Sequence, residues 1–195
     1  MSSRLKPKKK SYGFTTKELK SMNVYDKQYN AEDKMLRETF KHLQFMGYMA
    51  LRDRYGFGRQ RLIKFYDCIK GLFDKYTAKE ITSKEMLVYC EKNKIDVYKW
   101  VRSITQTEKL KLSSCAKHKG NTLDVIKVLD SSILVYGMLS ASVLKETFKF
   151  SRPEIERFYG HISYYIDSYV RDYLNDEMIN DILQEECNID LYKGV

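Results

Sequence analysis

The chain is poor in the two residues that punctuate backbones: two prolines and nine glycines in 195 residues. That scarcity favours helix over a loop-rich or all-β architecture. The four cysteines, Cys68, Cys90, Cys115 and Cys187, form no CxxC pair, which points to a reduced cytoplasmic protein with structural thiols. No apolar run approaches the roughly 18–20 residues that span a membrane. Residues 11–30 contain no apolar stretch of the signal-peptide kind, so no membrane partner is expected. The three histidines, His42, His118 and His161, lie in unrelated places, and no GxSxG, HExxH or P-loop pattern occurs. These absences argue against an enzyme and against any cofactor. Cys115 and His118 are spaced like half of a zinc site whose other half is missing, so no metal is expected either.

What the chain does contain is aromatic and charged. Sixteen tyrosines and nine phenylalanines imply an aromatic-rich core, and 43% hydrophobic with 31% charged residues is the balance of a soluble globular protein. The length suits one ordinary domain or two small ones.

The most informative stretch occurs twice. Tyr55 to Tyr66, YGFGRQRLIKFY, aligns without a gap on Phe148 to Tyr159, FKFSRPEIERFY, at an offset of 93 positions. Phe57, Arg59, Phe65 and Tyr66 recur as Phe150, Arg152, Phe158 and Tyr159. Ile69, Asp74 and Tyr76 recur as Ile162, Asp167 and Tyr169. One inserted residue near Cys187 moves the offset to 94, and the tails then match again, IDVYKWV (95–101) against IDLYKGV (189–195). About a quarter of the aligned positions are identical, as an old tandem duplication leaves them. Amphipathic helices resemble one another, but amphipathicity does not dictate a shared IDxYKxV tail.

Each copy reads as helix, tight turn, long helix, turn, short helix and an extended IDxY tail. In the first, Leu36, Phe40, Leu43, Gly47 and Ala50 lie on one face of a helix ending near Arg54. Gly56 suits its C-terminus, because glycine takes positive φ cheaply. The next helix starts near Arg59 with an apolar stripe through Leu62, Phe65, Tyr66, Ile69, Phe73 and Tyr76. In the second copy Ser151-Arg152-Pro153-Glu154 is a capping box with proline in the first turn, fixing the same helix start. Its stripe continues to Tyr169 and Tyr173. Thr82–Glu85 is another capping box, and Asn175 starts its counterpart. Asp96 and Asp190 suit cap or turn roles. The expected fold is all-α: a tandem duplication of a three-helix, helix-turn-helix-like unit forming a pseudo-twofold helical domain. The divisions are a basic arm with a possible short helix (1–32), repeat 1 (33–101), a basic linker (102–125) and repeat 2 (126–195). Tyr66 and Tyr159 are expected at equivalent, largely buried positions.

Charge separates the two copies. Of the total of +9, residues 33–101 carry a net +6 and residues 127–195 a net −5. A shared core beneath opposite surfaces implies different partners for the two units, or one unit kept for structure.

Leu51 to Phe65 resembles a helix-turn-helix, with Gly56, Phe57 and Gly58 in the turn. Lys149 stands where the second copy should have the glycine. Arg59, Gln60, Arg61 and Lys64 open the second helix, where arginine could read guanine and glutamine adenine. Arg52 and Arg54 precede the turn; Lys8, Lys9 and Lys10 in the arm, with Lys117 and Lys119 in the linker, are phosphate-seeking candidates. Carboxylates at Glu154 and Glu156 would repel phosphate, so the first unit is the candidate nucleic-acid binder.

The YGFG turn followed by the RLIKF helix, over residues 50–75 and more weakly 143–169, is similar to a loose group of small proteins of Gram-positive bacteriophages and prophages. That resemblance implies a phage or mobile-element setting in a host cytoplasm. It implies no activity and no site residues. Two roles fit that setting: a regulator that binds double-stranded DNA, or an inhibitor that binds a host nucleic-acid enzyme or defence protein. The chain is expected to be a monomer with internal pseudo-dimer symmetry or a homodimer.

Overall fold

A computed structural model describes the backbone of residues 16–113 and 122–190, with side chains over 34–113 and 124–190. The chain divides into two compact units, Met1–Lys34 and Met35–Val195. Within the first, the described part is the beginning of a helix. The second holds everything that follows.

Among the described residues every regular element is an α-helix: α1 (Thr16–Tyr55), α2 (Arg59–Thr77), α3 (Ser83–Lys92), α4 (Val97–Ser103), α5 (Gln106–Leu112), α6 (Thr122–Glu146), α7 (Arg152–Val170) and α8 (Asp176–Cys187). Local chemistry sets their ends. Thr82 and Glu85 cap α3 reciprocally, and Asn175 accepts the Met178 N–H at the start of α8. Each α2–α3-like pair is bounded by left-handed residues. All six among the described residues fall in pairs, Gly56 with Lys149, Lys79 with Asp172 and Lys94 with Asn188, at φ between 52° and 61°. Their positions differ by the offsets of the sequence repeat. Lys149 thus adopts the glycine-type turn, at a cost of about 1 kcal/mol for a residue with a Cβ. The Phe150 N–H bonds Leu144 O at 3.0 Å just as the Phe57 N–H bonds Leu51 O at 3.1 Å.

Four expectations change. The IDVYKWV segment is not extended: Asp96 accepts the Lys99 N–H at 2.8 Å and starts α4, which buries Val97, Trp100 and Val101. The 102–125 linker contains α5, capped by Thr105 and Glu108. Its Lys109 is buried against Asp130, Nζ to Oδ1 2.8 Å, rather than displayed. Tyr173 lies past the end of α7 and is 71% exposed. Tyr159 is buried as expected, whereas Tyr66 is only half-buried beside Lys70.

The helix α6 is the axis of the core. Leu129, Ile133, Tyr136, Met138 and Leu139 are fully buried, and the helix packs on α2, α3, α4, α5 and α7. Its Asp124–Glu146 stretch is long and apolar enough to cross a membrane by length and composition, contrary to the expectation above. More than half of its apolar window, 56%, is buried inside the fold, so the core accounts for that apolarity.

The first helices of the two repeats meet face to face. A Cβ on Gly47 would overlap the Tyr136 hydroxyl, and Phe40 lies edge-on to the Tyr136 ring at 5.3 Å. On α6 itself, a Cβ on Gly137 would come within 2.5 Å of Val97 and 2.9 Å of Trp100. Trp100 stacks on Tyr159 at 4.6 Å, and the Tyr159 hydroxyl donates to Gly137 O at 2.8 Å. Meanwhile α1 reaches α7 through Tyr55, whose hydroxyl donates to Glu154 O at 2.8 Å. It reaches α8 through Arg52, whose Nε lies 2.9 Å from Glu186. The first helix of each sequence repeat therefore packs on the later helices of the other.

His42 ties three helices together. Its Nδ1 lies 2.5 Å from Leu112 O at the end of α5, and its Nε2 3.2 Å from Asp176 at the start of α8. A carbonyl and a carboxylate only accept, so both ring nitrogens carry protons. Burial lowers the His42 pKa, but the hydrogen bonds to Asp176 and Leu112 outweigh it and raise the value above that of an ordinary histidine. Burial works against ionised Asp176 as well; the His42 contact prevails and holds its carboxyl low.

Two predictions follow from this packing. Gly47→Ala should destabilise the wild type by about 1–3 kcal/mol through overpacking. In a Tyr136→Phe background, where Cζ lies 3.4 Å from the new Cβ, the same change should gain up to about 1 kcal/mol of helix propensity. Denaturant titration of the four proteins gives the cycle, and equal effects in both backgrounds would disprove the contact. For His42, stability is fully present below the unfolded imidazole pKa of about 6.5 and is lost as pH rises through the higher folded value. The Asp176 contribution is present above its unfolded value of about 3.9 and is lost as pH falls through the lower folded one. Melting temperatures across this range should fall on the alkaline side for the wild type and much less for His42→Gln.

Candidate nucleic-acid interface

The two turns lie side by side because their aromatic residues interlock. Phe57 packs on Phe148 at 4.9 Å and meets Phe150 edge-on at 6.1 Å, while Tyr55 packs on Phe150 at 4.7 Å. This seam brings the starts of α2 and α7 to one edge of the molecule.

The two helix starts differ chemically. In α7, Glu154 Oε2 accepts from the Ser151 N–H at 2.7 Å and from the Ser151 hydroxyl at 2.5 Å. Those hydrogen bonds hold the Glu154 carboxyl below the usual carboxylate range. A negative charge therefore already sits at the positive end of α7. In α2 the equivalent cap is Gly58, extended at φ −80° and ψ 179°, with no side-chain cap and no acidic residue in the first turn. The helix presents its positive end to solvent, flanked by Arg59 and Arg61, which is the arrangement that attracts an anion.

The sequence candidates divide on inspection. Arg59, Gln60 and Lys64 are exposed on α2, and none makes a side-chain hydrogen bond or ion pair among the described residues. The Arg61 guanidinium stacks over the Phe57 ring at 3.7 Å, so it closes the seam as well as carrying charge. Arg52 is not available to phosphate: its Nε lies 3.0 Å from Asp53 and 2.9 Å from Glu186, with the side chain only 19% exposed. Arg54 is exposed in the last turn of α1. Lys8, Lys9, Lys10, Lys117 and Lys119 lie outside the described residues, as do Cys115 and His118.

The wider field agrees with this division. The α2 segment carries five basic and two acidic residues, α7 two and three, and α8 five acidic and none basic. One of the two α7 arginines, Arg152, is paired with Glu156 at 2.7 Å.

Two grooves flank α4. One of about 350 Å³ is lined by Leu87, Cys90, Ile95, Val97 and Tyr98. Burial pushes the Cys90 thiol up to about 11, so it is no nucleophile at neutral pH. The other, about 200 Å³, lies between α4 and α7 around Trp100 and Gly160. In the second groove the Ser163 hydroxyl accepts from Trp100 Nε1 at 3.1 Å and the Ser103 hydroxyl donates to Trp100 O at 2.7 Å.

Compared with known proteins, the chain matches no family model, no curated protein and no solved structure.

The cap asymmetry is measurable. Ser151→Ala should cost about 1 kcal/mol, whereas Gly58→Ser, at a position where a Cβ meets nothing within 4 Å, should change stability by only a few tenths of a kcal/mol. Thermal melts of the two variants check this, and equal losses would mean that both helix starts are capped alike.

Proposed function

We propose that this chain is a regulatory protein that binds nucleic acid, specifically double-stranded DNA, through the start of α2, and that it is a binding protein rather than an enzyme. The observation that carries the reading is the uncapped N-terminus of α2 beside unpaired Arg59, Gln60 and Lys64, set against the Glu154-capped start of α7. Phosphate contacts at the helix end would fix register, and the exposed side chains of the first turns would meet base edges. Affinity would fall steeply with salt.

The same proposal takes the architecture as a tandem duplication with pseudo-twofold symmetry, giving an internal pseudo-dimer in one chain. Its support is the pairing of all described left-handed residues at the repeat offsets, together with equal lengths of 19 residues for α2 and α7. The resemblance to phage and prophage proteins supports a mobile-element setting and action in a host cytoplasm.

A second reading has its own observation. The all-acidic α8 adjoins Tyr173, 71% exposed, and Met178, 44% exposed. Acid beside exposed apolar side chains suits a surface that covers a basic site on a host nucleic-acid enzyme or defence protein.

The two readings separate in one titration. Fluorescence anisotropy with a random-sequence duplex at low salt should show binding by the wild type, and roughly a hundredfold loss in Arg59→Ala/Lys64→Ala, two phosphate contacts at about tenfold each. Both side chains are exposed, so the melting temperature should hold. Gly58→Asp should weaken binding by placing a carboxylate at the N-cap of α2, so that this helix start, like that of α7, carries its own negative charge. Absence of binding by the wild type at micromolar protein would leave the inhibitor reading in its place.

A further inference from the structure

The second repeat contributes more to this edge than its net charge suggests. Tyr55, at the end of α1, lies over the face of α7 that carries Glu154, Arg157 and His161. Its hydroxyl donates to Glu154 O at 2.8 Å, and its ring meets the His161 ring edge-on at 6.5 Å. Residues 154, 157 and 161 share that face because they are three and four positions apart. Arg157 lies beside the Tyr55 hydroxyl and offsets part of the rise that burial imposes on the phenol. From the α1 side, Arg54 is the neighbour of Tyr55 in the chain, and its charge reaches the same imidazole. Burial lowers the His161 pKa, and Arg54 and Arg157 lower it further, with Asp53 opposing them.

The nearby carboxylates are already occupied. Asp53 is held by Arg52 at 3.0 Å and accepts from the Tyr165 hydroxyl. Glu154 is held by Ser151. Arg54 and Arg157 are both exposed, and neither forms an ion pair among the described residues. Two guanidinium groups, an imidazole and a phenol thus converge from two helices, and the two carboxylates within reach of them, Asp53 and Glu154, are already engaged by Arg52, Tyr165 and Ser151. Such a set costs electrostatic repulsion in the free protein, and a bound anion relieves it.

We infer that Arg54, Arg157 and His161, with Tyr55, form a phosphate-binding position at the seam between the two repeats, which takes a backbone phosphate of the bound nucleic acid. This rests on the nucleic-acid reading above and extends it: one phosphate falls at the start of α2 and a second on residues of both repeats. Arginine suits the position because its fork meets two phosphate oxygens at once. His161 donates a further hydrogen bond once protonated, which the phosphate charge favours. Binding should therefore strengthen as pH falls through the histidine range, with Arg54, Asp53 and Tyr55 on α1 and Arg157 and Tyr165 on α7 setting where that occurs.

The test uses the full chain and two probes, a short random duplex and inorganic phosphate. With duplex, Arg54→Ala and Arg157→Ala should each weaken binding roughly tenfold at low salt and make the log–log salt slope shallower by about one. Lys127→Ala removes an exposed charge some twenty residues up α6 from the seam, about 30 Å away at 1.5 Å per residue; it should stay within about twofold of the wild type. Thermal melts confirm folding, since both arginines are exposed. If the wild type binds duplex and both arginine variants match it in affinity and slope, the seam position is overturned while the α2 reading stands. If the wild type binds no duplex, the α2 reading falls, and the seam is judged by the second probe. Millimolar inorganic phosphate should then raise the titration midpoint of the His161 ring protons in NMR spectra. A rise supports a phosphate site served by another source, and an unmoved midpoint overturns it.

Discussion

The fold depends on how closely α1 and α6 approach each other. Gly47 removes the side chain where the Tyr136 ring must pass, and Gly137 does the same where α4 lays Val97 and Trp100 on α6. Interiors are packed densely enough that a single extra methyl at such a contact forces a rearrangement. Tyr136 brings its hydroxyl into this contact without a hydrogen-bond partner among the described residues. A buried orphan of that kind costs about 1–3 kcal/mol. The surrounding apolar burial, centred on Leu43, Met46, Ile133 and Leu139, is large enough to carry it.

With the first helices held together, the remaining helices fall into an exchange. The α1 helix meets α7 and α8, while α6 meets α2 and α3, so neither sequence repeat closes a core alone. This explains how two surfaces of opposite charge coexist on one body. Core positions such as Leu51 and Leu144, or Phe65 and Phe158, are fully buried in both halves and constrained alike. The exposed positions between them are bound by no such constraint. The seam of Tyr55, Phe57, Phe148 and Phe150 then joins the two surfaces at one edge. Arg157 of α7 stands beside Tyr55 at this seam, next to the turn that opens α2.

His42 sets a different limit. It places a protonated imidazole in the interior, tolerable only because Leu112 O and Asp176 take both of its protons. The chain thereby ties the end of α5, just before residues 114–121, to the start of α8. That tie is made by a pair of titratable groups, His42 and Asp176.

What the sequence by itself determined was local. Thr82, Ser151 and Asn175 mark helix starts because capping is settled within four residues, and Gly56 marks a helix end because positive φ favours glycine there. The repeat offset was legible for the same reason, since it counts positions along the chain. The α4 and α5 helices were missed although their caps, Asp96 and Thr105, are ordinary ones. Each helix is only seven residues long, too short to show a periodicity, and each is held by packing on α6. Only the tertiary structure decided which charges are free. Arg52, Arg61 and Lys109 look like Arg59 and Lys64 in sequence, yet Glu186, the Phe57 ring and Asp130 occupy them. Arg157 and His161 belong to the acidic repeat by composition, yet they stand beside Arg54 and Tyr55. A charge is neutralised by whatever lies within a few ångströms. Across about a hundred residues of chain, that neighbour is chosen by the packing of helices and not by any pattern local to the residue.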